Sequence, residues 1–480
     1  MAASILPFSL AKSNEKLTDR GAIAVVDEFA DAIGLPEKVG KEFPPPGSNA
    51  GIAPSVYVRT LMYHFSEGGR HIEEIRQIKA DEGFRSLIGL DRIPGPDAIG
   101  DWLRRMGAED QQEALRHCND RLVRRHLQHN SKESEWESEW ESEWESEWES
   151  EWESEAGDGE LKKESDSKPL TLKPLTLDVD ATIIESDKGD GQAAYDGTVG
   201  YHPMLGFLSD GRGRPCCSHV KFRQGNASPQ TGIEETITHT LELVEETGRS
   251  LRYFRSDSAA YQADVINLLN DEEIGYTITA DLDEAVRKAI REIPEGSWAV
   301  LRDRDGFETG REVSETVHTM NDSDHAFRLV VWREQVEEPS LFAMADEDFY
   351  QYGAVITNVS KEEMSAEEVL HFHRGRGNAE RFIGEAKSGV GLRHLPCGQE
   401  RANRIWFGVG ILTFNLLKLM QQQVLPSGWK GRTIQTLRQK ALRLVGKVTK
   451  SARQLTLKVR ASVDQIQQLR TVRRLIYQVA

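Results

Sequence analysis

Three acidic residues occupy positions from which a folded chain could bring their carboxylates together. Asp180 lies on the polar face of one predicted strand, Asp257 lies at the end of another, and Glu380 lies in a predicted helix. They are 77 and 123 residues apart, so only a tertiary fold could collect them. Carboxylate oxygens are preferred ligands of Mg²⁺, and two such ions roughly 4 Å apart can clamp the attacking and leaving oxygens of a phosphodiester. The trio therefore indicates Mg²⁺-dependent phosphodiester chemistry.

Basic side chains surround Glu380 at helical intervals. His373, Arg376 and Lys387 lie at −7, −4 and +7 relative to Glu380. At about 100° per residue, all three fall within about 40° of Glu380 on one helix face. Cations beside a metal-binding carboxylate are suited to phosphate contacts. A solvent-exposed face with i,i+4 ion pairs would give the same spacing and stays an alternative.

The elements around these acids follow a defined order. In the segment 176–184, Leu177 and Val179 alternate with Asp178 and Asp180, as in a strand with two unlike faces. The pattern further predicts strands at 204–210, 215–222, 251–258 and 274–280, and helices at 231–248 and 260–270. The order βββ-α-β-α-β is typical of an α/β, ribonuclease-H-like core with a mixed sheet. A doubly wound dinucleotide fold would need a Gly-rich first turn, which is missing.

Four sequence blocks carry a resemblance to a known family. The Tyr-x2-Arg-x3-Glu-x6-Lys signature of bacterial cut-and-paste insertion-sequence transposases resembles HFHRGRGNAERFIGEAK, in which His373 takes the Tyr position. The two Asp blocks of the same group, transposase DDE domain group 1, are similar to LDVDATIIESDKGDGQAAYDGTVGYHPMLGF and FRSDSAAY, and its Arg-x-Gly-Asn-Ala stretch is similar to VKFRQGNASP. The resemblance implies a ribonuclease-H-like domain with a β-rich insert, and cleavage and joining of DNA at terminal inverted repeats.

The resemblance also implies roles for the acids. The first catalytic Asp of the family stands two residues before a Thr, which here favours Asp180, before Thr182, over Asp178. Asp257 matches the second acid, although its place before a helix would also suit an N-cap. Glu380 matches the third. All three would be catalytic and would hold Mg²⁺, for which Mn²⁺ could substitute.

DNA is the partner that the resemblance implies. Arg376, Lys387 and His373 are expected to contact it near the scissile phosphate, and Arg223 and Asn226 are candidates for further phosphate contacts or for a structural turn. Terminal inverted repeats and target DNA would both bind, and joining two ends implies a homodimer in the synaptic complex. Two alternatives remain: a ribonuclease-H-like nuclease or resolvase without strand transfer, and a non-catalytic DNA-binding protein derived from a transposase.

The charge of the chain is distributed in blocks. The net charge is −18 over 480 residues, but residues 133–155 contain twelve Glu and no basic residue, so the remainder stands at −6. The tail at 421–480 contains thirteen Lys or Arg and one acid, a charge of +12. Because surface cations neutralise DNA phosphates, the acidic net charge does not exclude a nucleic-acid partner.

Composition and pattern divide the chain into six predicted segments. These are a helical N-terminal DNA-binding or dimerisation region (1–130), a low-complexity acidic ESEW linker (131–170), the first part of the catalytic domain (171–284), a β-rich insert (285–360), the Glu380 helix with the end of the core (361–420), and a basic helical tail (421–480). No run of 18 apolar residues predicts a membrane helix, and four cysteines do not suggest a disulfide framework. We expect a cytoplasmic, nucleoid-associated bacterial protein.

Overall fold

The computed structural model of the chain describes residues 12, 14–107, 111–128, 174–210, 215–336, 349–452 and 454–480. The predicted acidic linker at 131–170 lies outside the described residues. The chain forms two compact units. The first consists of Met1–Cys118 and Ala386–Ala480, and the second of Asn119–Glu385.

The described helices, in chain order, are α1 (Ile23–Ala32), α2 (Leu35–Glu42), α3 (Pro54–Ser66), α4 (Ile75–Ala80), α5 (Glu82–Ile88), α6 (Pro96–Met106), α7 (described over 111–128), α8 (Ile233–Glu245), α9 (Ala263–Asp271), α10 (Glu284–Arg291), α11 (Ala366–Arg374), α12 (Gly377–Gly389), α13 (Glu400–Gln423), α14 (Ile434–Leu437) and α15 (Val463–Gln478). The described strands are β1 (Leu17–Thr18), β2 (Leu175–Ala181), β3 (Ile184–Glu185), β4 (Gln192–Ala193), β5 (Val199–Tyr201), β6 (Met204–Ser209), β7 (Cys216–Lys221), β8 (Leu251–Ser256), β9 (Gly275–Thr279), β10 (Ala299–Arg302), β11 (Glu308–Thr319), β12 (Ala326–Gln335), β13 (Tyr350–Thr357), β14 (Gly446–Ser451) and β15 (Gln454–Val459).

Five strands of the second unit form the predicted core sheet. Their spatial order is β7-β6-β2-β8-β9. Strand β6 is antiparallel to both of its neighbours, β7 and β2, whereas β8 runs parallel to β2 and β9 runs parallel to β8. Helices α8 and α9 connect β7 to β8 and β8 to β9. This order and direction are those of a ribonuclease-H-like fold, so the predicted α/β fold class is confirmed.

The central strand β2 explains why this sheet forms. Leu177 and Val179 are completely buried, and they belong to one apolar cluster with Phe254 of β8 and Tyr276 of β9. Helix α8 contributes Ile237 to the same cluster. Burial of side chains of this size stabilises a fold by about 1.5–3 kcal/mol each. The polar positions of β2 are therefore held in a rigid, covered sheet.

Four further strands extend the sheet beyond β9. In the described part of the chain they continue it in the order β9-β13-β12-β11-β10, each pair antiparallel. All four lie within the segment 285–360, where the sequence predicted a β-rich insert. The β-rich segment thus lengthens the core sheet at the β9 edge.

A long buried helix organises the first unit. Nearly all of α13 is buried, and it contacts α3 and α6. Trp406 of α13 packs edge-on against Phe65 of α3, with ring centroids 4.8 Å apart. Trp102 of α6 stacks on Tyr57, at 5.1 Å. The apolar face of α6 therefore packs into the core of this unit.

The C-terminal tail is only partly helical, which corrects the predicted helical tail. Strands β14 and β15 form an antiparallel hairpin, and β14 also pairs with β1. Leu455, Leu457 and Val459 alternate with polar residues, which is the period of a strand rather than of a helix. A helix, α15, follows only after a capping box at Ser462.

No helix among the residues described is both long enough and apolar enough to cross a membrane.

Candidate functional site

Asp180 and Asp257 stand at the same edge of the core sheet. Asp180 is the sixth of the seven residues of β2, and Asp257 directly follows β8. Because β2 and β8 are parallel neighbours, their carboxyl ends meet at one edge. The fold therefore brings together two acids that are 77 residues apart in sequence.

The surroundings of Asp180 disfavour its negative charge. Burial is the main cause that raises its pKa to about 6, and the carboxylate of Asp257 adds to the rise. Glu380 contributes in the same direction, whereas the Arg376 guanidinium opposes it. Asp180 Oδ1 accepts a 2.8 Å hydrogen bond from the N–H of Ala181. A partly buried carboxylate close to two others is suited to a cation.

Asp257 has a structural partner as well. Its Oδ1 accepts a 3.0 Å hydrogen bond from the N–H of Ala259, and it caps the short 3₁₀ turn Ser258–Ala260. The N-cap alternative is thus observed. Capping uses only one carboxylate oxygen, so it fixes the side chain without excluding a second role.

Arg376 connects the third acid to the first. Its Nη2 lies 2.9 Å from Glu380 Oε1, and its Nη1 lies 3.7 Å from Asp180 Oδ2. The Glu380 side chain is 59% exposed, whereas that of Asp180 is only 13% exposed. The i,i+4 ion pair expected as the alternative does form, and its guanidinium also reaches the sheet edge.

His373 takes a position that differs from the expected one. The segment 365–390 is two helices, since α11 ends at Arg374 and α12 begins at Gly377, so helical counting does not carry across the break. His373 Nδ1 lies 3.1 Å from Thr277 Oγ1, and its Nε2 lies 2.9 Å from Thr279 Oγ1, both on β9. Burial lowers its pKa to about 4. Both ring nitrogens are engaged inside the protein, which is not the arrangement expected of a DNA contact.

Lys387 lies two turns beyond Glu380 on α12. Burial, and to a lesser extent Arg393, lowers the pKa of its ammonium group. The side chain is half-buried rather than fully solvated. Its place on the same helix face as Glu380 agrees with the expected spacing.

Arg223 is buried and holds the loop that follows it by hydrogen bonds to backbone carbonyls. Its Nε donates to the carbonyl of His202 at 2.8 Å, and its Nη1 donates to the carbonyls of Ser228 and Thr231 at 3.0 and 2.5 Å. Burial lowers its pKa to about 10. This arrangement corresponds to the structural turn that was the alternative to a phosphate contact. Asn226, in the same loop, is exposed.

Sequence reasoning missed the pairing of Asp178 with Arg255. Asp178 is completely buried, and both of its carboxylate oxygens accept hydrogen bonds from Arg255, at 2.7 and 2.8 Å. Arg255 stands two residues before Asp257 on β8. A basic residue at this spacing, on a strand parallel to one with two acids, is a signal that could have separated Asp178 from Asp180.

The three carboxylates of the site are chemically suited to bind a divalent metal ion. Asp180, Asp257 and Glu380 all offer oxygen ligands, and their repulsion contributes to the raised pKa of Asp180. Within the described ranges, however, no three Asp, Glu, His or Cys side chains are already grouped to hold an ion. Arg376 contacts both Asp180 and Glu380 instead.

Comparison with known proteins identifies a family and a similarity to a solved structure. Residues 147–479 match the family model described as transposase DDE domain group 1. Among solved structures, the chain is similar to the cryo-electron microscopy structure of the piggyBac transposase synaptic complex with hairpin DNA, with a TM-score of 0.41 and 10% identity over 97% of this chain and 88% of that chain. No curated protein matches the chain. The family match includes all three acids and Arg376.

Proposed function

Because the chain belongs to transposase DDE domain group 1, we propose that it cuts DNA at the terminal inverted repeats of an insertion sequence and joins the freed 3′ ends to target DNA. One observation carries the proposal: parallel strands deliver Asp180 and Asp257 to one sheet edge, beside a guanidinium that also contacts Glu380. An edge that combines carboxylates with a cation is suited to a phosphodiester substrate.

The three acids would hold Mg²⁺, with Mn²⁺ as a substitute. When bound, the ions supply stabilisation of the attacking and leaving oxygens. The side chains of this chain would orient the phosphodiester, while water attacks at the element end and the freed 3′-hydroxyl then attacks target DNA in line. No protein nucleophile takes part, so no covalent protein–DNA intermediate forms.

Arg376 would serve as the phosphate ligand at the scissile bond. Guanidinium groups bind phosphate oxygens with two parallel hydrogen bonds, which makes them well suited to this task. Its present contact with the exposed Glu380 carboxylate can be exchanged for a phosphate oxygen because both groups reach solvent. Lys387 would contact a neighbouring phosphate, and Asn226 remains a candidate contact. His373 and Arg223 would support the fold rather than touch DNA.

The hairpin of β14 and β15 would bind DNA outside the site. Lys447 and Lys458 lie directly opposite each other in this hairpin. Like charges in such a pair are destabilising, although Lys447 is also paired with Glu15. Lys450 and Arg460 are exposed nearby in sequence. Phosphate groups would offset this concentration of positive charge.

The synaptic complex would contain two copies of the chain. Joining an element to its target requires two ends to be processed together, and one acidic site serves one end at a time. We therefore propose a homodimer on DNA, acting at the bacterial nucleoid.

The test is a cleavage and joining assay with the purified full chain. The substrate is a duplex that ends in the inverted repeat found beside the gene, with Mg²⁺ and a supercoiled target plasmid, and a scrambled repeat is the control. We expect strand cleavage at the repeat end followed by joined products. Cleavage without joining would support the nuclease alternative. Binding without cleavage in either Mg²⁺ or Mn²⁺ would support the non-catalytic alternative.

A further inference from the structure

Arg255 makes contacts with two elements while belonging to a third. It lies on β8 and is only 7% exposed. Its Nε and Nη2 donate to the two oxygens of Asp178 on β2, at 2.7 and 2.8 Å. Bidentate pairs of this kind fix the relative orientation of both side chains as well as their distance. Arg255 therefore fixes β8 against β2 immediately before each strand reaches its catalytic acid.

The remaining nitrogen of the guanidinium reaches the helix that precedes Glu380. Arg255 Nη1 donates to the carbonyl of Phe372 in α11, at 2.9 Å. The guanidinium also lies over the Phe372 ring, 4.7 Å from its centroid. The ring and the carbonyl hold the same cation, so the end of α11 is fixed against β8.

Gly375 shows how close this contact is. A Cβ at this position would lie 2.1 Å from Arg255 Nη1 and 2.9 Å from the Phe372 carbonyl oxygen. These are the two atoms that form the hydrogen bond, so the added carbon would collide with it. The backbone of Gly375 has φ −60° and ψ −14°, which any residue can adopt. Glycine is thus required here by space and not by backbone conformation. Gly377 differs, since nothing lies within 4 Å of a Cβ built there.

We propose that Arg255 is a positioning residue that sets the separation of Asp180, Asp257 and Glu380. It stands two residues before Asp257, and its partner Asp178 stands two residues before Asp180. Its helix contact, Phe372, stands four residues before Arg376, the residue that contacts Glu380. One guanidinium thus contacts or belongs to the elements that lead to all three acids. The inference rests on the proposed function, because it concerns the geometry that this function needs.

Small displacements of these acids are expected to have large effects. A misplacement of about 1 Å can lower the rate of a positioned reaction by about 100-fold. Gly375→Ala would separate α11 from Arg255 without changing any charged group. Arg255→Lys would keep the charge beside Asp178, but a single ammonium cannot also reach the Phe372 carbonyl with the same geometry.

The experiment compares Gly375→Ala with its matched control Gly377→Ala in the full chain. Single-turnover cleavage, the Kd for repeat DNA, the melting temperature and the Mn²⁺-induced rise in melting temperature are measured for each. We expect Gly375→Ala to cleave about 10- to 100-fold more slowly, with a Kd within about 2-fold of the unmodified chain and a reduced Mn²⁺ response. Gly377→Ala should match the unmodified chain in all four measurements.

Equal cleavage rates and equal Mn²⁺ responses in the two alanine variants would overturn the inference. If Gly375→Ala does not fold, Arg255→Lys decides, and an unchanged rate in that variant overturns it as well. If the unmodified chain does not cleave DNA at all, the proposed function fails, whereas the Mn²⁺ response still reports on the positioning of the acids. The two failures are therefore distinguishable.

Discussion

Asp178 and Arg255 face each other in the register of parallel strands β2 and β8 and are joined by hydrogen bonds of 2.7 and 2.8 Å. Asp180 follows two residues later on the same strand face, but it lies near Asp257 and Glu380 instead of an arginine that neutralises it fully. Two aspartates that alternate in the same way therefore have different environments. Burial raises the pKa of both carboxyls, but the hydrogen bonds from Arg255 oppose the rise at Asp178, whereas the carboxylate of Asp257 adds to it at Asp180.

Alanine substitution of these two aspartates should affect stability differently. Asp178→Ala leaves the buried Arg255 guanidinium without its carboxylate, which should lower the free energy of unfolding by about 3–5 kcal/mol. Asp180→Ala removes a charge that its surroundings disfavour, so the free energy of unfolding without metal should stay the same or rise. Urea unfolding in the presence of a chelator measures both. A similar loss in both variants would show that Asp180 is also a structural acid.

The buried His373 should make the free energy of unfolding depend on pH. Its pKa is lowered to about 4, below the ordinary value of 6.5, so the unfolded chain takes up a proton at a higher pH than the folded chain. The stability that neutral His373 contributes is present above pH 6.5 and is lost as the pH falls to about 4, by up to about 3 kcal/mol.

The measurement is the difference in unfolding free energy between the unmodified chain and His373→Gln, taken from pH 7.5 to pH 4. The advantage of the unmodified chain should shrink as the pH falls. A constant difference would contradict the buried, neutral state of His373. A weaker affinity of His373→Gln for DNA, with unchanged stability, would restore the expected DNA contact.

The sequence predicted the core because its signals are local and strong. Leu177 and Val179 alternate with acids, and strands and helices follow in an order that few sheets can accommodate. The sequence pattern only loosens around Gly375 and Gly377, whereas the close approach of Arg255 to Gly375 comes from a strand 120 residues earlier in the chain. Tertiary packing of this kind leaves no mark on periodicity.

The C-terminal tail shows a second reason why the sequence did not predict the whole fold. Between 433 and 460, Lys and Arg recur every two to five residues among Leu and Val, which is compatible with either period. The hairpin turn contains Ala452 at φ 53°, a left-handed conformation that alanine rarely adopts. Without a Gly or Asn at the turn, the hairpin had no turn signal, although the alternation at 455–459 was present.

Charge removal on the hairpin should weaken DNA binding and its salt dependence. Lys450, Lys458 and Arg460 are exposed, so their combined substitution by Gln should preserve the fold. Each lost phosphate contact reduces the slope of log K against log salt concentration by about 0.9, so the triple variant should lose up to about 2.7. Fluorescence anisotropy with a repeat duplex, from about 50 to about 200 mM salt, measures the slope.

Lys41→Gln is the matched control for the hairpin variant, because Lys41 is an exposed lysine of the same unit paired with Glu37. An unchanged slope in the folded triple variant would remove the hairpin from the DNA interface. Truncation of the whole tail is a poorer test, since Ile434, Leu437 and Ile476 are completely buried and their loss would damage the first unit.

The most direct test of the account is strand cleavage by variants of the three acids. Asp180→Ala, Asp257→Ala and Glu380→Ala should each lower Mg²⁺-dependent cleavage of a repeat duplex by at least about 1,000-fold while binding to that duplex survives. A double variant should be hardly slower than a single one, because the acids act as a unit. Asp187→Ala, which removes an exposed acid after β3, should cleave at the unmodified rate. Near-normal cleavage by any one of the three acid variants would contradict the account.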